Sequence, residues 1–273
     1  MSAVLVSEEH RGKGYAKRLM SLLHSVVAPH RYLNPLKAPS VIDRPSTVSV
    51  QYSAVGDYYS HCIPSAGESR WDVQKALITT WPSSSTHIPP SKGNSRPIEL
   101  LSEPDVTATL NSDDLNIPTD ILEFQKNDPI KTYFAFAPTA PLNAYSITFS
   151  KFTPGVPVNP PWGAKVTGTG DFMTWGFFKR PTLKSVVTRL RASTDSFPLL
   201  LDAAYRVAQD TQCDAIEAWN VPEYLKEIVR ETGGETVARE RNLSSFKWYG
   251  EQPNSKVDDE DIVWVLDERY NWC

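Results

Sequence analysis

Ala16, Leu19, Met20, Leu23, Val26 and Val27 recur at helical spacing, and Ala28-Pro29 ends the run, so the pattern predicts an amphipathic helix. Ahead of it, Ala3-Val4-Leu5-Val6 is a short apolar run of strand-forming residues. Between the two lies Ser7-Glu8-Glu9-His10-Arg11-Gly12-Lys13-Gly14-Tyr15, so the expected order is strand, glycine-bearing turn, helix. Val48, Val50 and Tyr52 alternate within Ser46–Tyr52 as one face of a strand. Ser53–Tyr59 follows as a short helical or turn segment, and Trp71–Trp81 keeps the apolar positions of one more strand. From Pro64 to Pro104 the composition shifts to Pro, Ser and Thr, with Pro89-Pro90-Ser91-Lys92-Gly93 reading as linker.

The later part of the chain is more regular. Short helices are expected at Glu103–Leu110 and Thr119–Lys126, each opened by Ser or Thr with a nearby acid, and a strand at Thr132–Ala137. Pro141 opens a helix that carries Leu142, Tyr145, Phe149 and Phe152 on one stripe. Strands at Gly163–Thr167, Asp171–Phe178 and Leu183–Ala192 precede a helix at Phe197–Asp210. A strand at Cys213–Trp219 and a helix at Pro222–Thr232, closed by Gly233-Gly234, come next. Strands around Thr236–Ala238, Ser245–Trp248 and Ile262–Leu266 complete the pattern. The fold class expected is α/β, of the α+β kind with a mixed sheet.

Composition narrows the functional classes. With 273 residues, 40% hydrophobic and 22% charged, the chain can bury a core of one large or two modest domains. A net charge of −4 argues against a nucleic-acid platform. No apolar run reaches the ~20 residues of a membrane span, so no membrane partner is expected. Three widely spaced cysteines (Cys62, Cys213, Cys273) fit a reducing compartment, and a cytoplasmic protein is expected. His10, His24, His30, His61 and His87 fall mostly on loops and helix surface without zinc spacing, so no metal is expected.

A strand, a glycine turn and a helix in that order make an anion site, because backbone N–H groups and the positive end of the helix dipole converge there. Gly12 and Gly14 let the backbone approach a pyrophosphate, and Arg11 and Lys13 add charge at the rim. Neither GxxxxGK[ST] nor GxGxxG is present. Arg11-Gly12-Lys13-Gly14-Tyr15-Ala16 instead resembles the pyrophosphate loop of the GNAT superfamily of N-acetyltransferases, written [QR]-x-x-G-x-[GA]. Glu9 departs from the pattern at its first position. An ordinary glycine turn is the other reading of the hexapeptide.

The resemblance implies acetyl-CoA as co-substrate, held by Leu5, Val6, Arg11, Gly12, Lys13, Gly14, Tyr15 and Ala16, with no metal. It implies a tyrosine that protonates the departing thiolate: Tyr59 is the positional match and Tyr58 the runner-up. The strand-plus-tyrosine pattern, and the terminal run Val263 to Cys273, are similar to the fungal lysine N-acetyltransferases of lysine catabolism. That narrower group implies a small amine acceptor, the side-chain amine of free L-lysine. On this resemblance residues 1–90 form the C-terminal part of an acetyl-CoA-binding domain, 91–130 a linker with short helices, and 131–273 a second, degenerate GNAT-like substrate-side domain. The segment from Arg191 to Pro198 has no glycine, so this second domain is not expected to bind CoA in the same way.

The chemistry requires a neutral amine, since an ammonium has no free lone pair, together with an oxyanion donor from Leu5 or Val6. Asp57, Asp171, Glu217 and the carboxylate of Cys273 are open candidates for the base. Only six residues precede Ser7, where the superfamily places a strand, two helices and two more strands. The expectation is therefore a fragment or an incomplete first domain with weakened catalysis, and the alternative function is a non-catalytic binding or structural module. Oligomeric state is not read from the sequence.

Overall fold

The computed structural model of the chain describes residues 4–32, 44–84, 96–139, 142–250 and 261–272. α1 (Tyr15–Val27) forms where apolar spacing places it and buries Met20, His24 and Ser25 along one face. β1 (Val48–Ser53), β2 (Asp72–Val73), β3 (Leu77–Pro82) and β4 (Ile98–Leu101) follow. α2 (Glu103–Asp113) opens on a capping box in which the Asp105 carboxylate accepts the Ser102 N–H at 3.0 Å. α3 (Ile117–Asn127), β5 (Thr132–Phe134), α4 (Leu142–Lys151) and β6 (Gly163–Val166) come next. β7 (Phe172–Lys179), β8 (Leu183–Arg191), α5 (Phe197–Asp210) and β9 (Ala215–Trp219) form the most buried stretch. α6 (Lys226–Glu231), β10 (Glu235–Ala238), β11 (Leu243–Trp248) and β12 (Ile262–Trp264) complete the order.

These elements cluster into two compact units that interleave along the chain. The first comprises Met1–Ala76, Phe124–Phe134 and Arg239–Val265. Its sheet runs β1-β11-β2, antiparallel throughout, with Val48 opposite Trp248 and Ser53 opposite Leu243. Paired residues share a face, so Val50, Tyr52, Phe246 and Trp248 lie together on one side. That side meets the parallel β12–β5 pair: Phe134 stacks on Trp264 at 5.8 Å and meets Phe246 edge-on at 5.3 Å. The opposite side carries Ser49, Gln51, Ser245 and Lys247, and the last two are buried despite their polarity.

The second unit comprises Leu77–Glu123, Ala135–Ala238 and Leu266–Cys273. It is built on a mixed seven-stranded sheet, order β10-β3-β9-β8-β7-β6-β4, in which only β8 and β9 run parallel. A parallel pair needs a crossover, and α5 supplies it, burying Phe197, Leu200, Leu201, Ala204 and Tyr205. β8 is almost wholly buried and bulges at Thr188: Thr174 stands opposite Arg189 but Trp175 opposite Val187. A buried ion network fastens helices and tail to β8. Arg189 Nε donates to Asp113 at 2.8 Å and its Nη1 to Glu268, while Arg191 reaches Asp113 at 2.5 Å and Asp120 at 2.5 and 3.1 Å. Glu268 also accepts the Leu190 N–H at 2.8 Å.

The sequence pattern and the structure part in three places. Val4–Val6, the described part of the expected strand, is not one; a strand requires a neighbour to take its backbone groups, and among the described residues this run pairs with none of the three sheets. The Trp71–Trp81 run divides into β2 and β3, which join different sheets, with Gln74–Ala76 as the break. Ile98–Leu101, within the Pro/Ser/Thr-rich stretch, is a strand because β6 offers it a long-range partner. The linker run 89–93, Pro141, Ala3, His87 and Cys273 lie outside the described residues.

Candidate cofactor-binding site

The loop from Ser7 to Gly14 folds as one short turn of helix at Glu8–His10 followed by the two glycines. Arg11 ties it back, donating from Nε to the Val6 carbonyl at 3.1 Å and facing Glu8 at 3.6 Å. Gly12 and Gly14 both have positive φ (+76° and +79°), and a Cβ at either would meet nothing within 4 Å. Their role is thus conformational, and the space over them is open. Gly14 is the N-cap of α1 and no side chain caps that end; the first helical bond runs from the Arg18 N–H to the Gly14 carbonyl at 3.0 Å. The N–H groups of the first turn, Tyr15 to Lys17, carry the positive end of the dipole into this open space.

A cavity of about 570 Å³ lies beside the turn, and Leu5, Val6, Tyr15 and Ala16 are in its wall. These four belong to the residues expected from the motif; Arg11, Gly12, Lys13 and Gly14 form the adjoining loop without lining the cavity. His10, Arg18, Leu19 and Leu22 also line it, and the motif gave no hint of them. Their signal was the helix itself: Tyr15, Arg18, Leu19 and Leu22 fall at i, i+3, i+4 and i+7, one face of α1. Tyr15 packs edge-on to His10 at 5.8 Å.

Tyr58 and Tyr59 occupy a short helical turn, Tyr58–His61, and are not among the cavity-lining residues. Tyr59 packs on the cluster of Met20, Cys62 and Trp71, beside Val4 and Leu23, while Tyr58 is exposed and meets it edge-on at 5.2 Å. Burial, and then the proximity of Tyr58 and Cys62, raises the Tyr59 hydroxyl above its ordinary pKa, so it carries its proton at neutral pH. Burial likewise pushes the Cys62 and Cys213 thiols up, which makes both poor nucleophiles.

His24, expected near the helix surface, is instead fully buried in the first unit. Its Nε2 lies 2.8 Å from the Cys62 carbonyl, which can only accept, so Nε2 carries the hydrogen. Nδ1, 2.8 Å from the Tyr249 hydroxyl, is then the acceptor. Burial lowers the His24 pKa, partly opposed by the Cys62 carbonyl and aided by the Lys247 charge, so the ring is neutral.

Two of the carboxylates considered as bases, Asp171 and Glu217, are engaged in structure. Asp171 accepts from the Ser193 N–H at 3.2 Å and from the Ser193 hydroxyl at 2.9 Å, at the start of α5. Glu217 pairs with Lys184. Asp57 precedes the Tyr58–His61 turn, where its main-chain carbonyl, not its carboxylate, accepts the Ser60 hydroxyl at 2.6 Å. The contrast between the two helix starts is chemical. Neither N-cap residue makes a side-chain cap bond; the α1 end is flanked by glycines and open, whereas the Asp171 carboxylate lies just ahead of the α5 end, bonded to Ser193. Among the described residues, no group of His, Cys, Asp and Glu could hold a metal, and no helix is long and apolar enough to cross a membrane.

Comparison with known proteins places most of this chain. The model of the LYC1 GNAT-like C-terminal domain matches residues 79–273, so the loop and α1 lie outside the matched part. No curated protein matches the chain. Among solved structures it is similar to a GCN5-related N-acetyltransferase from Kribbella flavida, at 10% identity and a TM-score of 0.46. That match covers 91% of this chain and 52% of the other, so this chain spans about half the length of the solved one.

Proposed function

The chain belongs to the LYC1 GNAT-like family of the GNAT superfamily, and from that premise we propose that it transfers an acetyl group from acetyl-CoA to the side-chain amine of free L-lysine. One observation carries the cofactor side of this reading: the uncapped, glycine-flanked start of α1 beside a cavity of about 570 Å³ with apolar walls. A pyrophosphate needs N–H donors and an approach free of side chains, and Gly12, Gly14 and the first turn of α1 supply both. Arg11 and Lys13 add positive charge at the loop, and Leu5, Val6 and Tyr15 offer apolar surface to a pantetheine arm.

Acetyl transfer asks three things of the protein: a neutral amine held against the thioester, a donor for the developing oxyanion, and a proton for the thiolate. The backbone N–H groups of Leu5 and Val6 are the candidates for the second. Tyr59, which keeps its proton at neutral pH, is the candidate for the third, with Tyr58 behind it. L-Lysine as acceptor rests on the resemblance to the lysine N-acetyltransferases. The test is an assay of CoA thiol release with L-lysine and acetyl-CoA: lysine-dependent release supports the reading. A folded protein that binds acetyl-CoA yet releases no thiol with L-lysine overturns the acceptor.

A further inference from the structure

β4 is the last strand of the seven-stranded sheet, so one of its edges has no neighbouring strand among the described residues. Its pairing with β6 sets which backbone groups face that edge. The Pro97 carbonyl accepts the Thr167 N–H at 2.9 Å and the Leu101 carbonyl the Trp162 N–H at 2.8 Å, so the odd-numbered residues turn toward β6. Ile98 and Leu100 therefore point their N–H and C=O groups outward. Pro97 stands in the inner row and removes no outward donor. Sheets commonly blunt an open edge with lysine or proline, yet both outward residues here are apolar, and Leu100 is 48% exposed.

The side chains of Ile98 and Leu100 share one face, and with Leu199, Ala203 and Val207 of α5 they line a cavity of about 700 Å³ within the second unit. Its two ends carry opposite charge. Arg96 lines the end where Pro97 meets Thr167; the turn after Thr167 closes on Asp171, whose carboxylate reaches Ser193 ahead of α5. Asp210 lines the other end, at the last turn of α5, where Pro160 and Pro161 lead into β6. The free carbonyls of that helix end add to its negative field. Arg96 and Asp210 are both exposed, and neither side chain has an ion pair or hydrogen bond among the described residues. Between them Asp202 and Arg206 answer each other at 2.5 Å.

A strand that fills this edge must be apolar at alternate positions and basic where it passes Asp210. The chain's own run Arg96-Pro97-Ile98-Glu99-Leu100 has that pattern. Laid antiparallel along the edge about Glu99, a second β4 sets Ile98 opposite the partner's Leu100 and Ser102 opposite the partner's Arg96, at the Asp210 end. The apolar side chains of both copies then lie on the α5 side. The two Glu99 carboxylates meet on the other side, and each is answered by its own Lys165 at 3.1 Å.

We propose that two copies of this chain associate through β4 in an antiparallel, two-fold pairing centred on Glu99, in which Ile98 and Leu100 of each copy enter the groove of the other and Arg96 of each meets the partner's Asp210. This pairing does not depend on the acetyltransferase reading. Sedimentation equilibrium of the full chain from about 1 to 100 µM reads it directly, and a reversible monomer–dimer equilibrium is expected. Leu100→Lys is expected to weaken association at least about tenfold. Arg96→Glu and Asp210→Arg should each weaken it about tenfold alone, and together restore it to within about threefold, because the pair re-forms with its charges exchanged. All three positions are exposed, and a cooperative urea transition in each variant shows that it is folded. A chain that stays monomeric up to about 100 µM overturns the pairing. So does a dimer that Leu100→Lys leaves unchanged, or a charge exchange that fails to restore association.

Discussion

Replacing Tyr59 by Phe removes one hydroxyl from a ring that packs against Met20, Cys62 and Trp71, so the packing survives. If that hydroxyl protonates the thiolate, Tyr59→Phe lowers kcat by about 10²-fold or more while KM for acetyl-CoA holds. An unchanged kcat removes Tyr59 from the chemistry. His24 answers to pH instead. The unfolded chain takes up a proton near the ordinary value of 6.5, whereas the buried ring resists it until the pH is lower. Its contribution to stability is therefore complete above about 6.5 and falls below it, by up to about 1.4 kcal/mol per pH unit. Denaturant unfolding between pH 7.5 and 5.5 should show this slope, and His24→Gln should flatten it; equal slopes in both proteins contradict the assignment. Nothing in the sequence marks His24 as buried, because its burial comes from Tyr249 and Cys62, both remote along the chain.

Elements were legible where the information is local. The spacing of Ala16, Leu19, Met20 and Leu23 gave α1, and Ser102 with Asp105 gave the start of α2. Strands were legible only where partners existed: Val4–Val6 has strand-forming residues and no partner, while Ile98–Leu101 sits among loop-like residues and pairs with β6. The second helix start makes a further case. The absence of glycine between Arg191 and Pro198 was visible, but that Asp171 reaches the start of α5 from the preceding strand pair was not. Asp171→Ala removes the acceptor of the Ser193 N–H and hydroxyl ahead of α5 and should cost about 1 kcal/mol, lowering Tm by roughly 2–4 °C. It should give no new acetyl-CoA binding, because the loop still lacks the glycines. An unaltered Tm contradicts the anchoring of Ser193 by Asp171.

At the scale of the whole molecule, the interleaving of the two units follows from two long-range pairings, β1 with β11 and β5 with β12. No periodicity reports such a partner, so consecutive reading of the chain shows the elements but not their grouping. The second unit depends in the same way on its last residues: Glu268 meets Arg189 and the Leu190 N–H, and Tyr270 donates to the Phe136 carbonyl at 2.7 Å. Burial works against the Arg189 charge, and Glu268 with Asp113 more than offsets it, holding the guanidinium well above its ordinary pKa. Glu268→Ala leaves that buried charge short of a partner and should destabilise the second unit by about 3–5 kcal/mol in urea unfolding. A change within about 0.5 kcal/mol, as at an ordinary surface site, contradicts the network's role.

On the proposed function, Gly12, Gly14 and the start of α1 receive acetyl-CoA. Calorimetric titration of the full chain with acetyl-CoA, beside Gly14→Val, tests it most directly. Gly14 holds φ at +79°, where a β-branched residue is strained by about 1–2 kcal/mol, so the variant can fold while its loop cannot keep the same path. Saturable binding by the wild-type chain, weakened at least about tenfold in a variant that still unfolds cooperatively, is the expected result. Equal affinity in the two proteins, or no binding by the folded wild-type chain, contradicts it.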